Sequence, residues 1–148
     1  MLGNKYGLIT GASRGLGMEM AVALAESGLS GITITAAPGS DETTAEIGDE
    51  LEQAKATLNK AGAKVSAVLS DVGVAKDCKR AIESHMDTFP SLDILINNAG
   101  KAGRYANLGD TSNDISSHDL AGMSAIIATN LSGPYFMLHY ALPYMRQL

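Results

Sequence analysis

The residues best suited to chemistry form one glycine-rich run, Thr10-Gly11-Ala12-Ser13-Arg14-Gly15-Leu16-Gly17. An apolar, strand-like stretch precedes this run, and a helix-like stretch follows it. Glycines tolerate positive φ and let the backbone approach a ligand closely, and the start of a helix offers unpaired N–H groups to an anion. The run therefore predicts a phosphate site. Its G-x-x-x-G-x-G spacing differs from the common G-x-G-x-x-G, and a tight turn with nothing bound remains the alternative.

Three other polar groups have spacing that could serve the same site. Asp71-Val72 follows the third predicted strand, Asn97-Asn98-Ala99-Gly100 follows the fourth, and Asn130 lies in the last predicted helix. Each also has a simpler reading: Asp71 as a helix cap, the Asn-Gly run as a turn, and Asn130 as a polar helix residue. Asp71-Val72 and the Asn97–Gly100 run both follow predicted strands, and this common position favours a shared site.

The elements that would position these residues alternate between strand and helix. Strands are predicted over about 5–10, 31–37, 63–70 and 93–96, and helices over about 16–27, 41–60 and 75–88. Ser116, together with Asp119, would start a last helix that continues through Asn130 to Met145. Gly28 and Gly62 would end the first two helices, and Pro134 would kink the last one. A polar loop is expected over 101–113. This order predicts one α/β domain over 1–148, a Rossmann-like, doubly wound parallel sheet with strand order 3-2-1-4, whose ligand lies where the order reverses.

Composition narrows the class of protein. The 148 residues include 45% hydrophobic residues, 11 Lys and Arg, and 16 Asp and Glu, for a net charge of −5. Clustered basic residues are absent, which argues against nucleic acid as a partner. The single cysteine, Cys78, fits a reducing compartment and reads as a packing residue. We see no signal peptide and no membrane span, so the expected location is cytoplasmic.

Together the T-G-x-x-x-G-x-G run, Asp71, the N-N-A-G run and Asn130 resemble the short-chain dehydrogenase/reductase family over essentially the whole chain. The resemblance implies that pyrophosphate and adenosine ribose are held by Gly11, Ser13, Arg14, Gly15, Leu16 and Gly17. It implies that Asp71 and Val72 contact adenine, and that Asn98, Ala99 and Gly100 line the nicotinamide-side ribose and steady the fourth strand. Asn130 would support catalysis by holding a kinked helix and a water. No metal is implied.

The choice between cofactors depends on the end of the second strand. NAD enzymes place an acid there, but this sequence reads Ala36-Ala37-Pro38. Arg14 can reach a ribose 2′-phosphate, so NADP(H) is favoured over NAD(H). The basic residue that many NADP-binding members carry after the second strand is also missing, so NAD(H) stays open.

No tyrosine is followed four residues later by lysine, so these 148 residues contain no Tyr-x-x-x-Lys pair. The resemblance implies that the family's catalytic serine and this pair come in the segment after strand four and its helix. We expect an incomplete domain, truncated before strand five: the N-terminal portion of an oxidoreductase acting on a carbonyl or alcohol, inactive by itself. The alternative is a non-enzymatic dinucleotide-binding module or truncated isoform. His118, His139 and Tyr135 are weak substitutes for the missing acid and read as surface or packing residues.

The same reasoning predicts self-association. The fourth strand would be a sheet edge, and the last helix would expose apolar side chains. We therefore expect a marginally stable or associating chain, with a homo-oligomer as one outcome.

Overall fold

The computed structural model describes residues 2–102 and 115–145. Much of the polar loop predicted over 101–113 lies outside these residues. The elements in chain order are β1 (Tyr6–Ile9), α1 (Gly15–Glu26), β2 (Gly31–Ala36), α2 (Thr44–Lys60), β3 (Lys64–Leu69), α3 (Ala75–Thr88), β4 (Ile94–Ile96), a 3₁₀ turn (Ile115–Ser117), α4 (Leu120–Ile127), a π turn (Ala128–Ser132) and α5 (Gly133–Met145).

The four strands form a parallel sheet in the order β3-β2-β1-β4, which confirms the predicted topology. In the register of the sheet, Leu8 of β1 pairs with Thr33 of β2 on one side and with Leu95 of β4 on the other. The order reverses beside β1, because the chain crosses to β2 on one side and reaches β4 on the other. The carboxyl ends of β1 and β4 therefore meet at the predicted switch point.

A hydrophobic core lies on each face of this sheet. Successive side chains of a strand point to opposite faces. Accordingly Ile9 joins the core with α1 and α2, while Leu8 joins the core with α3 and α5; neither side chain is exposed to solvent. The sheet is thus covered on both faces, as a doubly wound fold requires.

A buried histidine ties α3 to the sheet. His85 Nε2 lies 2.9 Å from the Ser91 carbonyl oxygen, and Nδ1 lies 2.8 Å from Thr33 Oγ1. A carbonyl oxygen only accepts, so Nε2 carries the proton and the Thr33 hydroxyl donates to Nδ1. Burial lowers the pKa of His85 below its usual value.

Helix α2 begins three residues later than predicted, at Thr44 instead of 41. The Ser40 carbonyl accepts from the N–H groups of Thr43 and Thr44 at 3.0 and 2.9 Å, so residues 41–43 form a turn. The prediction that Asp41 starts this helix is therefore wrong. The strands are each shorter than predicted by one or more residues at their ends.

The last predicted helix is present but divided. It begins at Leu120 and not at Ser116, which lies in the 3₁₀ turn, and its N-cap is Asp119, whose Oδ2 accepts from Gly122 N at 2.9 Å. The helix then passes through the π turn before α5 begins. Pro134 has no N–H to donate to the carbonyl four residues earlier, and a π turn accommodates such a lost bond. The irregularity predicted at Pro134 thus lies in the turn that precedes it.

Apolar side chains are exposed along this divided helix. We call Leu120, Ile127, Leu131, Tyr135 and Leu138 the apolar helical face; Leu120 is 82% exposed and Leu131 is 70% exposed. Within the described residues β4, which pairs with β1, is one of the two edge strands of the sheet. Both features match the surfaces from which association was predicted.

Candidate functional site

A cleft of about 580 Å³ opens where the strand order reverses. This volume lies within the range of sites that bind small molecules and cofactors. The lining residues come from the glycine turn and the ends of the strands, with contributions from α2 and the π turn: Gly11, Ser13, Arg14, Ala36, Ala37, Ile47, Glu50, Ser70, Asp71, Val72, Asn98, Ala99, Gly100, Lys101 and Thr129. Most residues predicted to bind cofactor thus surround one cleft, and Gly15, Leu16 and Gly17 lie next to it in the turn.

The N-terminus of α1 is open at one end of this cleft. The N-cap of α1 is Arg14, and no side chain makes a capping hydrogen bond there. The first N–H groups of any helix lack carbonyl partners within the helix, and the helix dipole places partial positive charge on them. Gly15 has φ 59°, and apart from its chain neighbours and the nearby backbone of α1, no atom of the described residues lies within 4 Å of the position where a Cβ would stand. An anion can therefore approach this backbone, which fits a pyrophosphate group.

Gly11 and Gly17 lie where the glycine turn packs closely against neighbouring atoms, with no room for a side chain. A Cβ on Gly11 would lie 2.9 Å from Ala99 Cα, at the end of β4. A Cβ on Gly17 would overlap the Gly11 carbonyl oxygen and lie 2.5 Å from Asn98 Nδ2. The structure therefore places Gly17 where it lets α1 pack against the turn. Leu16 is 78% exposed beside the turn.

Asn98 fastens the end of β4 to the end of β1. Its Nδ2 donates to the carbonyl oxygens of Thr10 and Gly11 at 3.0 and 2.9 Å. Thr10 Oγ1 accepts from the N–H groups of Asn98 and Ala99, both at 3.1 Å. Thr10 was not singled out from the sequence, although its position at the head of the glycine run was a signal. The threonine and asparagine together set the shape of this side of the cleft.

Asp71 organises the segment after β3. Its Oδ1 accepts from Gly73 N at 2.9 Å, and its own N–H donates to Asp77 Oδ2 at 3.0 Å. The N-cap of α3 is Val74, which has no side-chain capping bond. The alternative reading of Asp71 as a helix cap is therefore wrong. Asp71 and the mostly buried Val72 line the cleft instead.

A buried thiol, that of Cys78, contacts the backbone of Val72. Cys78 is fully buried, and its Sγ donates to the Val72 carbonyl oxygen at 3.2 Å. Burial, with the nearby charges of Asp77 and Asp71, raises the pKa of Cys78 to about 11. The side chain is neutral at physiological pH, as a packing residue would be.

Asn130 lies in the π turn and binds the backbone just beyond β4. Its Oδ1 accepts from Lys101 N at 2.7 Å, and its Nδ2 donates to the Lys101 carbonyl at 2.8 Å. This two-point contact joins the divided helix to the segment that carries Ala99 and Gly100. Asn130 thus supports the cleft without being one of its lining residues, while its neighbour Thr129 lines it.

At the end of the cleft formed by Ala36 and Ala37, an acid approaches from α2. Glu50 Oε1 lies 3.2 Å from Arg14 Nη1, and Glu50 Oε2 lies 3.5 Å from Ser13 Oγ. Sequence reasoning looked for an acid only after β2 and missed Glu50. The helical spacing of Ile47, Leu51 and Ala54 was a usable signal. These apolar residues predict which side of α2 packs on the sheet, and Glu50 lies next to that side in the sequence.

Two other kinds of site were sought in the described parts of the chain, residues 2–102 and 115–145. They contain no group of three or more His, Cys, Asp or Glu side chains that would hold a metal ion. No helix in them combines the length and apolar character needed to cross a membrane.

The comparisons with known proteins agree with this geometry. The model of the short chain dehydrogenase family matches residues 5–147. An uncharacterized oxidoreductase of Thermotoga maritima is 31% identical, over 97% of this chain and 49% of its own length. The chain spans about half the length of the curated relatives it matches.

Solved structures share the fold. A metagenomic short-chain oxidoreductase in complex with NADP has a TM-score of 0.78 at 24% identity, covering 97% of this chain and 57% of that one. An NADH-dependent reductase complexed with NAD has the same TM-score and identity, covering 99% of this chain and 54% of that one. Because the family model matches residues 5–147, nearly the whole of this chain, the chain belongs to the short-chain dehydrogenase/reductase family.

Proposed function

We propose that this chain binds NADP(H) in preference to NAD(H), as the cofactor-binding part of an oxidoreductase. The whole protein would transfer hydride between the nicotinamide and a carbonyl or alcohol substrate. The observation that carries the proposal is the uncapped N-terminus of α1 at the end of a cleft of cofactor size. Backbone N–H groups at such a position favour a pyrophosphate.

The remaining contacts follow from the layout of the cleft. The pyrophosphate would lie against the backbone of Ser13, Gly15 and Leu16, with Gly11 and Gly17 allowing the turn to form. The adenine would lie near Asp71 and Val72, which line the cleft after β3.

The nicotinamide half would extend towards the other strand end. Asn98, Ala99 and Gly100 line that part of the cleft. Asn98 would act mainly through its bonds to β1, and Asn130 would hold this segment in place through Lys101.

The preference for NADP(H) rests on Arg14. Its guanidinium lies at the cleft and is 77% exposed, so a ribose 2′-phosphate can reach it. A guanidinium pairs well with phosphate oxygens. No acid follows β2 to bind the 2′-hydroxyl in the manner of NAD enzymes, because Ala36 and Ala37 stand there.

These 148 residues would bind cofactor without turning it over. They hold no Tyr-x-x-x-Lys pair, and such a pair supplies the general acid of the family. This same observation favours a second candidate, a dinucleotide-binding module without enzymatic activity. Oxidation of NADPH by the chain with a panel of aldehydes and ketones would exclude that candidate and contradict our expectation of inactivity.

Direct titration tests the binding. NADPH and NADH are titrated into folded chain by calorimetry, with 2′,5′-ADP and AMP as competitors. We expect both cofactors to bind, NADPH more tightly, and 2′,5′-ADP to compete better than AMP. Arg14→Gln should weaken NADPH about tenfold, the value of one charge-assisted hydrogen bond, with little effect on NADH. Lys60→Gln removes the same charge from the exposed end of α2 and serves as the control. If folded chain binds neither cofactor, the proposal is wrong.

We also propose that the apolar helical face and the β4 edge associate with a second protein surface, a copy of this chain being the simplest partner. Neither nucleic acid nor a membrane is a proposed partner, and the proposed location is the cytoplasm. Sedimentation of the chain at several concentrations measures the association, and a monomer at all of them would contradict it.

A further inference from the structure

We propose that Glu50 sets the balance between NAD(H) and NADP(H) in this cleft. Its carboxylate would accept a hydrogen bond from the ribose 2′-hydroxyl of NAD(H). The same carboxylate would oppose a 2′-phosphate, both by repulsion and by occupying Arg14. This inference rests on the proposed binding of a dinucleotide.

The geometry brings two opposite charges together in the lining of the cleft. Glu50 Oε1 is 3.2 Å from Arg14 Nη1, and both residues line the cleft together with Ala36 and Ala37. Asp71 is the other acid among the lining residues, but it follows β3 and accepts from Gly73 N. Glu50 is therefore the acid beside the strand end at which a ribose would be recognised.

The position of Glu50 is determined by the packing of α2. Leu51, Ala54 and Leu58 of this helix are buried in the core, which fixes the rotation of the helix against the sheet. Ile47, one turn before Glu50, lines the cleft as well. Glu50 consequently stands at the cleft rim, with a side chain that is 36% exposed, where a partly buried carboxylate retains strength as an acceptor.

The two cofactors should respond to Glu50 in opposite directions. A 2′-phosphate carries up to two negative charges, so removing the Glu50 charge relieves repulsion and leaves Arg14 without a competing partner. A 2′-hydroxyl would instead lose an acceptor. From the modest worth of partly exposed charge pairs, we expect Glu50→Gln to tighten NADPH by about three- to fivefold and to weaken NADH about twofold. The ratio of the two affinities then changes by about six- to tenfold towards NADPH.

The control is Asp49→Asn. Asp49 is the preceding residue of α2, is exposed, and is not among the lining residues, so this variant removes the same charge from the same helix outside the cleft. Its ratio of NADPH to NADH affinity should equal that of the parent chain. Repeating the titrations in 0.5 M NaCl should reduce the gain in NADPH affinity, because salt screens exposed charges.

The outcomes separate this inference from the proposed function. Opposite shifts of NADPH and NADH in Glu50→Gln, absent in Asp49→Asn, support it. If both cofactors bind but their ratio is unchanged in Glu50→Gln, or changes equally in Asp49→Asn, the role of Glu50 is wrong while the proposed function stands. If the parent chain binds neither cofactor, both are overturned. Should Glu50→Gln fail to fold, Glu50→Asp, which shortens the side chain by one methylene, should give a smaller shift in the same direction, and an unchanged ratio there would refute the role.

Discussion

Replacing Gly15 by alanine separates what the glycine turn does for binding from what it does for folding. Gly15 has φ 59°, and apart from its chain neighbours and the nearby helix backbone, a Cβ there would meet no atom of the described residues within 4 Å. Gly28 offers a matched control, because it has φ 87° and also has no atom within 4 Å of the Cβ position, but it follows α1 at the end away from the turn. The two variants thus share the backbone strain and the lack of overlap, and differ in their distance from the proposed pyrophosphate.

The magnitudes follow from that comparison. A left-handed conformation costs an L-residue about 1 kcal/mol, so both Gly15→Ala and Gly28→Ala should lower the free energy of unfolding by about that amount. Only Gly15→Ala should also weaken NADPH, because its methyl group would stand between the ligand and the N–H groups at the start of α1. Loss of one hydrogen bond to a charged group is worth about 1.5–3 kcal/mol, or a tenfold to hundredfold loss of affinity. The larger, branched side chain of Gly15→Val should abolish binding.

Urea denaturation measures the first quantity, and calorimetric titration with NADPH measures the second. Gly28→Ala should bind NADPH as the parent chain does, at a concentration where both are folded. If Gly15→Ala binds NADPH as tightly as Gly28→Ala, the pyrophosphate does not lie on this turn. If Gly15→Ala costs several kcal/mol more stability than Gly28→Ala, the assignment of open space beside Gly15 is wrong.

Three further predictions concern stability and reactivity. Asn98→Ala should lower the free energy of unfolding, measured in urea, by about 2–3 kcal/mol, since it leaves the carbonyl oxygens of Thr10 and Gly11 without their donor. Asn98→Asp should lower it further, because a carboxylate would face both oxygens. A decrease under about 1 kcal/mol in either variant would contradict these hydrogen bonds. Cys78 should react with a thiol reagent only as fast as the chain opens, because burial and the neighbouring acids raise its pKa to about 11, and rapid labelling of folded chain would refute its burial. Burial lowers the pKa of His85 in the folded chain, so below about pH 6.5 the unfolded chain binds more protons and the free energy of unfolding should fall as pH falls. Protonation of Glu or Asp would produce such a fall only at lower pH. His85→Gln should remove this pH dependence, and an unchanged slope between about pH 7 and pH 5 in that variant would refute the assignment.

The order of elements was predictable because each one has a strong local signal. Helix α3 was predicted with its observed ends, Ala75 and Thr88, since apolar residues recur along one face and a proline follows shortly after. The start of α2 was predicted three residues early. The Ser40 carbonyl oxygen accepts from the N–H groups of Thr43 and Thr44 and so forms a turn before the helix, and residue types alone do not distinguish such a turn from a first helical turn. The π turn was not predicted at all, because no residue type is specific to that geometry.

The site divided in the same way. The glycine run, Asp71 and Asn98 could be found from the sequence, because each directly follows a strand and the carboxyl ends of parallel strands meet at one edge. The bonds of Asn98 to Thr10 and Gly11 could not be foreseen, since they join residues that are 87 and 88 positions apart.

The sequence by itself determined the family, the alternation of strands and helices, and the absence of a Tyr-x-x-x-Lys pair among these 148 residues, because these depend on residue types and local spacing. Only the tertiary structure decided that Glu50 Oε1 lies 3.2 Å from Arg14 Nη1 at the cleft. That contact depends on how α2 is rotated and seated by Leu51 and Leu58 in the core. Such packing sums many small contacts between distant segments, and no local pattern specifies it.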